Sequence, residues 1–420
     1  MFLHSIRASL LALVSAVLVA ACGGSSSSDT PAPPVGGISV VPGDSQVTVT
    51  WKETPGVEYW IFAAPNSPNL TLANWLATSG STYRLKVTSP FMVTGLSNGT
   101  TYSFFMTGRV NSGPGGDATP TVSATPRLAG NVWTTGTNLN TGSTTGLTYG
   151  SYTDLATNTY KFAYLAVGNG GSMFSATQID TWKPIASGLT TDLNAAEFGF
   201  AKFIAAGAQG KIIYSTDAQT WKQANSVTNQ NLNALAANGS VAIAVGDNGT
   251  ILTSKDAVTW TAVSGVPSTA HLYGVTYTVA GNWLAVGASG TLLTSPDGNT
   301  WSAQTSGTSA TLRSAGALAT TLDGTTSYRF VVVGANGSIL SSPDAITWTA
   351  QSANTTAALN AITSVNQFLV VGANGTILTS TDGAIWTPQT SNSSSDLKTL
   401  LRAENQYIAV NTTGGILFSK

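Results

Sequence analysis

V-G-A-N-G-T-I-L-T-S-T-D-G-A-I-W, Val371 to Trp386, packs four signals into sixteen residues. An apolar run ends in a Gly-x-x-Gly turn, a short strand pattern follows, and a Ser-x-Asp turn closes on a tryptophan. The first half returns along the chain. It reads V-G-N-G-G-S-M-F-S at Val167, A-G-A-Q-G-K-I-I-Y-S at Ala206, V-G-D-N-G-T-I-L-T-S at Val245, V-G-A-S-G-T-L-L-T-S at Val286 and V-G-A-N-G-S-I-L-S-S at Val333. A worn copy, V-N-T-T-G-G-I-L-F-S, starts at Val410. That makes seven copies with the one at Val371.

Two further markers keep step. Tryptophans stand at Trp133, Trp182, Trp221, Trp260, Trp301, Trp348 and Trp386, spaced 49, 39, 39, 41, 47 and 38 residues apart. A leucine follows eleven or twelve residues behind most of them: Leu193, Leu232, Leu272, Leu312, Leu359 and Leu397; Leu147, fourteen behind Trp133, is the loosest match. Each unit holds four strand candidates; in the sixth they are Leu359 to Ser364, Phe368 to Gly372, Thr376 to Ser380 and Trp386 to Thr390. Four short antiparallel strands in each of seven units is the arithmetic of a seven-bladed β-propeller over residues 128–420. The last copy stops before any Trp, while Trp133 has no preceding strands of its own. Joining the two ends completes one blade and removes the open ends that a repeat array must otherwise cap.

Composition narrows what such a chain does. Of 420 residues only 8% are charged, with 17 Lys plus Arg against 18 Asp plus Glu. No basic block exists, so the electrostatic footprint of a nucleic-acid binder is missing. Histidine occurs only at His4 and His271 and cysteine only at Cys22, which excludes disulfides and His/Cys metal sites; no metal or other cofactor is expected.

Residues 1–21 have the parts of a signal peptide: His4 and Arg7, an apolar run from Leu10 to Val19, then Ala20 and Ala21. V-L-V-A-A-C, ending at Cys22, resembles the bacterial lipobox. The resemblance implies cleavage before Cys22, lipidation of that residue, a membrane-anchored lipoprotein and, with Gly23 following, the outer membrane of a Gram-negative host. The alternative is an unlipidated secreted chain. Residues 22–37, rich in Ser, Gly and Pro, read as a tether.

Residues 38–127 read as a small β-sandwich. Q-V-T-V-T-W (Gln46 to Trp51) alternates with period two, V-E-Y-W-I-F opens another strand at Val57, and L-S-N-G-T-T-Y runs from Leu96 to Tyr102. Trp51, Leu96 and Tyr102 resemble the pattern of a fibronectin type III module. The resemblance implies a buried Tyr102 ring whose hydroxyl meets upstream backbone. Residues 65–85 are too irregular to assign. A spacer role is expected of this module.

The second half of the opening stretch recurs as Ser215/Asp217/Trp221, Ser254/Asp256/Trp260, Ser295/Asp297/Trp301, Ser342/Asp344/Trp348 and Ser380/Asp382/Trp386. It resembles the Asp-box of BNR propellers, and residues 128–420 as a whole resemble the photosystem II assembly-factor type. An Asp in a repeated tight turn serves the turn by accepting backbone N–H groups. Asp217, Asp256, Asp297, Asp344 and Asp382 are therefore expected to be structural.

BNR propellers include glycosidases, which makes a glycoside-acting enzyme the alternative reading. A sialidase-like site needs three converging Arg, a Tyr–Glu pair and an acid–base Asp. The repeat region has only Arg313, Arg329 and Arg402, and only Glu197 and Glu404, at unrelated repeat positions. The sequence favours a non-catalytic binding protein for an unidentified protein or glycan. Varied residues at equivalent loop positions mark the place to look. These are the residues behind the marker leucines, Asn194, Asn233, Tyr273, Arg313, Asn360 and Lys398. Beside them stand the turn residues Asn169, Gln209, Asp247, Asn248, Ser289, Asn336 and Asn374.

Overall fold

The computed structural model describes residues 33–419 apart from 35, 112, 140–142 and 155–156. The signal segment, Cys22 and most of the tether lie outside the described residues. The rest divides between Leu128 and Ala129 into two compact units.

The first unit is a β-sandwich of seven strands: β1 (Ser39–Gly43), β2 (Gln46–Thr50), β3 (Val57–Pro65), β4 (Thr82–Val87), β5 (Phe91–Thr94), β6 (Tyr102–Val110) and β7 (Val122–Ala124). One sheet runs β1-β2-β5 and the other β4-β3-β6-β7. Alternation sends Val47 and Val49 inward from β2, and Tyr59, Ile61, Phe104 and Met106 inward from β3 and β6, around Trp51. The Tyr102 ring is buried and its hydroxyl accepts the Ser97 N–H at 3.2 Å, as the sequence suggested. The irregular stretch 66–81 has a packing role. It lays Leu70 and Trp75 on the outer face of the four-stranded sheet, against Phe62 and Phe105. Trp75 Nε1 donates to the Thr82 carbonyl at 3.1 Å, which pins the excursion down.

The second unit is a β-propeller. Seven antiparallel four-stranded sheets follow one another, over residues 144–186, 193–223, 232–262, 272–303, 312–351, 359–389 and 397–419 with 134–138; they are numbered 1 to 7 here. Their first strands contact one another in sequence, and the seventh contacts the first. No sheet keeps a core of its own. Each cluster joins two neighbours, for example Ile204 and Ala206 of sheet 2 with Leu232, Leu235 and Ala244 of sheet 3. Second strands are covered on both faces, so Ala242–Gly246 and Phe368–Gly372 are apolar without alternation and wholly buried. Fourth strands are short and exposed, such as Thr387–Gln389 of sheet 6, which begins after the Trp rather than on it.

The ends of the repeat region meet as expected. Strand β8 (Thr134–Asn138) pairs with the final strand Gly415–Ser419 and completes sheet 7. The turn beside it is rebuilt from both ends. Gly130 N–H donates to Ser419 Oγ at 2.8 Å and Trp133 Nε1 to the Gly130 carbonyl at 2.8 Å. In sheet 4 the same bonds link Gly298 to Ser295 and Trp301 to Gly298 within one continuous segment.

One marker is corrected. The position of Leu193, opposite the turn glycine and just before a bulge, is held in sheet 1 by Thr144, not Leu147. Register, rather than residue type, fixes the equivalence, and Thr144 restores the spacing of eleven from Trp133.

Candidate functional site

The Ser-x-Asp turns occupy one end of the sheets. In sheet 4, Asp297 Oδ1 accepts the N–H groups of Asn299 (2.8 Å) and Thr300 (2.7 Å) and the Ser295 hydroxyl (3.1 Å). The other four Asp residues, Asp217, Asp256, Asp344 and Asp382, repeat this pattern. The backbone N–H groups of Thr347 and Ile346 hold the Asp344 carboxyl down to about 2. Its counterparts lie below the usual carboxylate range as well. Groups held ionised in this way serve the turn and are poor proton donors. A cavity of about 330 Å³ opens beside one of them, lined by Thr253, Lys255, Asp256 and Asn299 among others. Its one carboxylate is the turn's own Asp256.

The Gly-x-x-Gly turns occupy the other end. Both glycines are required by close approach: a Cβ on Gly246 would lie 2.0 Å from the Asn231 carbonyl oxygen, and one on Gly249 2.0 Å from that of Ser268. The second of the two residues between them is left-handed, at φ 56° for Gln209, 54° for Asn248, 52° for Ser289, 56° for Asn336 and 54° for Asn374. Asn tolerates that conformation, so its recurrence is backbone chemistry.

The residues behind the marker positions have work between sheets. Asn194 Nδ2 donates to the Leu232 carbonyl (3.0 Å), Asn233 Nδ2 to that of Leu272 (2.9 Å) and Asn360 Nδ2 to that of Leu397 (2.7 Å). Thr145, which the sequence did not single out, donates its hydroxyl to the Leu193 carbonyl at 2.5 Å. Arg313 donates to Asn360 Oδ1. Each bond runs from one innermost strand to the next. Of the six residues expected to contact a ligand, Asn194, Asn233, Arg313 and Asn360 thus staple the ring. Tyr273 and Lys398 make no such bond, and Tyr273 is exposed.

Sheets 3 and 4 depart from the pattern at this end. Asp247 fills a turn position that is Ala in sheets 2, 4, 5 and 6. His271 Nδ1 lies 3.0 Å from Asp247 Oδ1, Asn233 Nδ2 3.0 Å from the same oxygen, and Asn231 Nδ2 2.9 Å from Oδ2. Burial works to raise the Asp247 pKa, but the bonds from Asn233, His271 and Asn231 outweigh it and hold the group below its ordinary range. The His271 ring stacks 6.4 Å from Tyr273. An anionic, hydrogen-bonding and aromatic arc therefore sits on the first strands and turns of two neighbouring sheets. Asp247 and His271 are 24 residues apart, and the packing of sheet 4 against sheet 3 makes them partners.

Glu197 stands apart on the first strand of sheet 2. It keeps some accessible surface, but protein crowds its carboxyl, and this desolvation pushes the pKa up to about 7 against one N–H donor, Phe198 at 2.9 Å. Among the described residues no group of three or more His, Cys, Asp or Glu is placed to hold a metal.

No protein-family model and no curated protein sequence matches the chain. Solved structures do. The chain is similar to YCF48 bound to D1 peptide, at 20% identity and a TM-score of 0.54, over 70% of this chain and 99% of that one. YCF48 from Cyanidioschyzon merolae aligns at 16% and 0.53, over 68% of this chain and 98% of that one. A catalytically inactive virginiamycin B lyase from Staphylococcus aureus, with quinupristin, aligns at 11% and 0.54, over 69% and 99%. At these identities the likeness establishes the β-propeller and nothing finer.

Proposed function

We propose that this chain is a non-catalytic binding protein: an exported lipoprotein held to the outer membrane through Cys22, with a fibronectin type III-like spacer and a seven-bladed propeller that recognises a protein partner. The observation that carries the binding reading is the Asp247–His271–Tyr273 arc. The repeated turns of the other sheets are accounted for by backbone chemistry, whereas this arc adds a carboxylate, an imidazole and an exposed ring to the joint between sheets 3 and 4. The peptide held by YCF48, a propeller of the same fold, supports a protein over a glycan. The three-plus-four strand order of the sandwich and its buried Tyr102 support the fibronectin type III-like reading of the first unit.

The test is capture from envelope extracts with the whole chain, followed by His271→Ala, Tyr273→Ala and Lys398→Ala. A captured protein should bind at least tenfold more weakly to the triple variant at unchanged melting temperature. Equal binding, or a glycan as the only ligand on an array, overturns the reading. Mass spectrometry of the membrane-extracted protein should find a lipid-modified Cys22 at the N-terminus, and an unmodified soluble start elsewhere ends the anchoring part.

A further inference from the structure

Sheet 1 carries a ribbon at the end opposite the glycine turns. Its first two strands, β9 (Thr144–Asp154) and β10 (Thr159–Gly168), outrun their neighbours. The third strand of the sheet pairs with β10 only from Tyr164 to Val167, so residues 159–163 pair with β9 alone. Ala163 is buried in the core shared with sheet 2, so residues 159–162 of β10 present an open backbone edge, and an open edge is a template for another strand.

The side chains on this ribbon are unusual for an edge in contact with water. Tyr164, Phe162 and Tyr160 alternate onto one face, opposite Tyr149, Ser151 and Thr153 of β9. Rings run outward without a gap: Trp182 to Tyr164 at 6.1 Å, Tyr164 to Tyr149 at 4.6 Å, Tyr149 to Phe162 at 5.6 Å and nearly parallel, Phe162 to Tyr160 at 5.4 Å. Sheet 7 covers the inner part of this face with Leu401, Ala403, Ile408 and Val410. Its own hairpin turns back after Ala403, so Phe162 stays 47% and Tyr160 67% exposed. Charge does not guard the edge. Lys161 is paired to Asp154, and Glu404 accepts the Tyr149 hydroxyl at 2.8 Å.

We propose that residues 159–162 are a docking edge on which an extended, uncharged segment of a partner protein adds as a strand, with alternate apolar side chains against Phe162 and Tyr160. The charge pattern selects such a segment, since the ribbon's own charges are already matched. A second copy of this chain fits less well. Ribbon against ribbon engages about four residues a side, where a stable interface between folded proteins uses roughly 20–30. A flexible segment adding along one edge needs no such area.

Sheet 5 supplies an internal control. Its first two strands, Leu312–Leu322 and Thr325–Gly334, form a comparable ribbon whose third strand joins only from Phe330. Its exposed part is hydroxyl-rich, with Thr321 and Thr326 paired at 3.0 Å.

The test uses hydrogen exchange by mass spectrometry on the full chain. The probes are blocked decapeptides with Val, Leu, Phe or Tyr at alternate positions and Thr between. The tightest should slow exchange in 159–162 at least fivefold and leave 325–329 unchanged. N-methylation of alternate peptide nitrogens should abolish binding in one of its two registers. Phe162→Thr should weaken binding at least fivefold, with Tyr160→Thr, at the more exposed position, as the variant that leaves the fold untouched. The proposal is overturned if no peptide protects 159–162, if both N-methylated registers bind equally, or if cellohexaose gives the protection. Self-association through the ribbon, seen by sedimentation and lost in Phe162→Thr, overturns it as well.

Discussion

Sheets 1 and 6 are copies of one unit, and they differ wherever a unit can differ. Sheet 6 has Leu359 at the marker position, Asn374 in the left-handed turn and Asp382 in the Ser-x-Asp turn. Sheet 1 has Thr144, a Gly-Gly turn, Thr177 in place of the Asp of the Ser-x-Asp turn and a long aromatic ribbon. What survives in both is the joint to the next sheet. Asn360 in one and Thr145 in the other reach the carbonyl of the next marker leucine. Different side chains make the same bond because the acceptor is backbone and only the position matters. The joints between sheets, rather than the turn chemistry, hold the ring, and four experiments bear on that ranking.

The largest effect is expected at the joint made by the chain ends. Deleting residues 414–420 removes the strand that pairs with Thr134–Asn138 and the Ser419 partner of Gly130. It also strips Ile416 and Leu417 from the clusters on both sides of sheet 7. Because every core is shared, loss of one strand opens two interfaces, and the propeller should fail to fold or melt at least 10 °C lower. Melting at the parent temperature would show that the sheets stand alone.

Next is Glu197. Its folded pKa is raised above the unfolded value of about 4.3, so the folded state holds the proton more tightly. Stability is therefore lost as pH rises from the unfolded value through about 7. Glu197→Gln removes that loss. It should match the parent near pH 4 and exceed it at pH 8 by up to about 2 kcal/mol, after allowance for the partly accessible surface. A variant with the parent's pH profile would place the carboxyl in water.

The repeat and its turns were legible because glycine and tryptophan spacing is periodic. The two ribbons were legible only as extra length, the 49- and 47-residue gaps before Trp182 and Trp348 against 38 to 41 elsewhere, which the sequence reading did not assign to strands. The staples were not, since Asn, Thr and Arg share no pattern and a carbonyl acceptor leaves no trace in sequence. Four of the six residues expected to meet a ligand belong to those joints for this reason. Leu147 was mistaken for a marker because hydrophobicity was followed in place of register.

Asp382→Ala comes third. It removes the acceptor for the N–H groups of Ala384 and Ile385 and for the Ser380 hydroxyl. These donors lie near water, so the expected loss is about 1–2 kcal/mol, a fall of a few degrees in Tm. The carboxyl is depressed in the fold by those same backbone groups. Its contribution is complete above the unfolded value of about 3.9 and is lost as pH falls through the lower folded value. The parent and the variant should therefore converge in thermal melts as the pH falls below the unfolded value of about 3.9.

The smallest effect is expected from giving sheet 1 the missing acid, by Thr177→Asp. If the Asp were indispensable to the turn, restoring it would stabilise as much as Asp382→Ala destabilises. The local geometry says otherwise. Sheet 1 has one more residue between Ser175 and Trp182 than sheet 6 has between Ser380 and Trp386. Thr181 already closes the longer turn: its Oγ1 accepts the Gln178 N–H at 3.2 Å and donates to the Gln178 carbonyl at 2.9 Å. The Ser175 hydroxyl, which an Asp would recruit, accepts Gln219 Nε2 from sheet 2 at 3.0 Å. The longer turn is already closed by Thr181, and a carboxylate at 177 would stand three residues from Asp180, so the stability change should stay within about 0.5 kcal/mol, the range of a surface substitution. Thr181→Ala should cost about 1 kcal/mol by removing the group that took over the closing role. A gain of 1 kcal/mol or more from Thr177→Asp, measured by denaturant titration, would mean that the turn of sheet 1 is incomplete and that turn chemistry ranks with the joints.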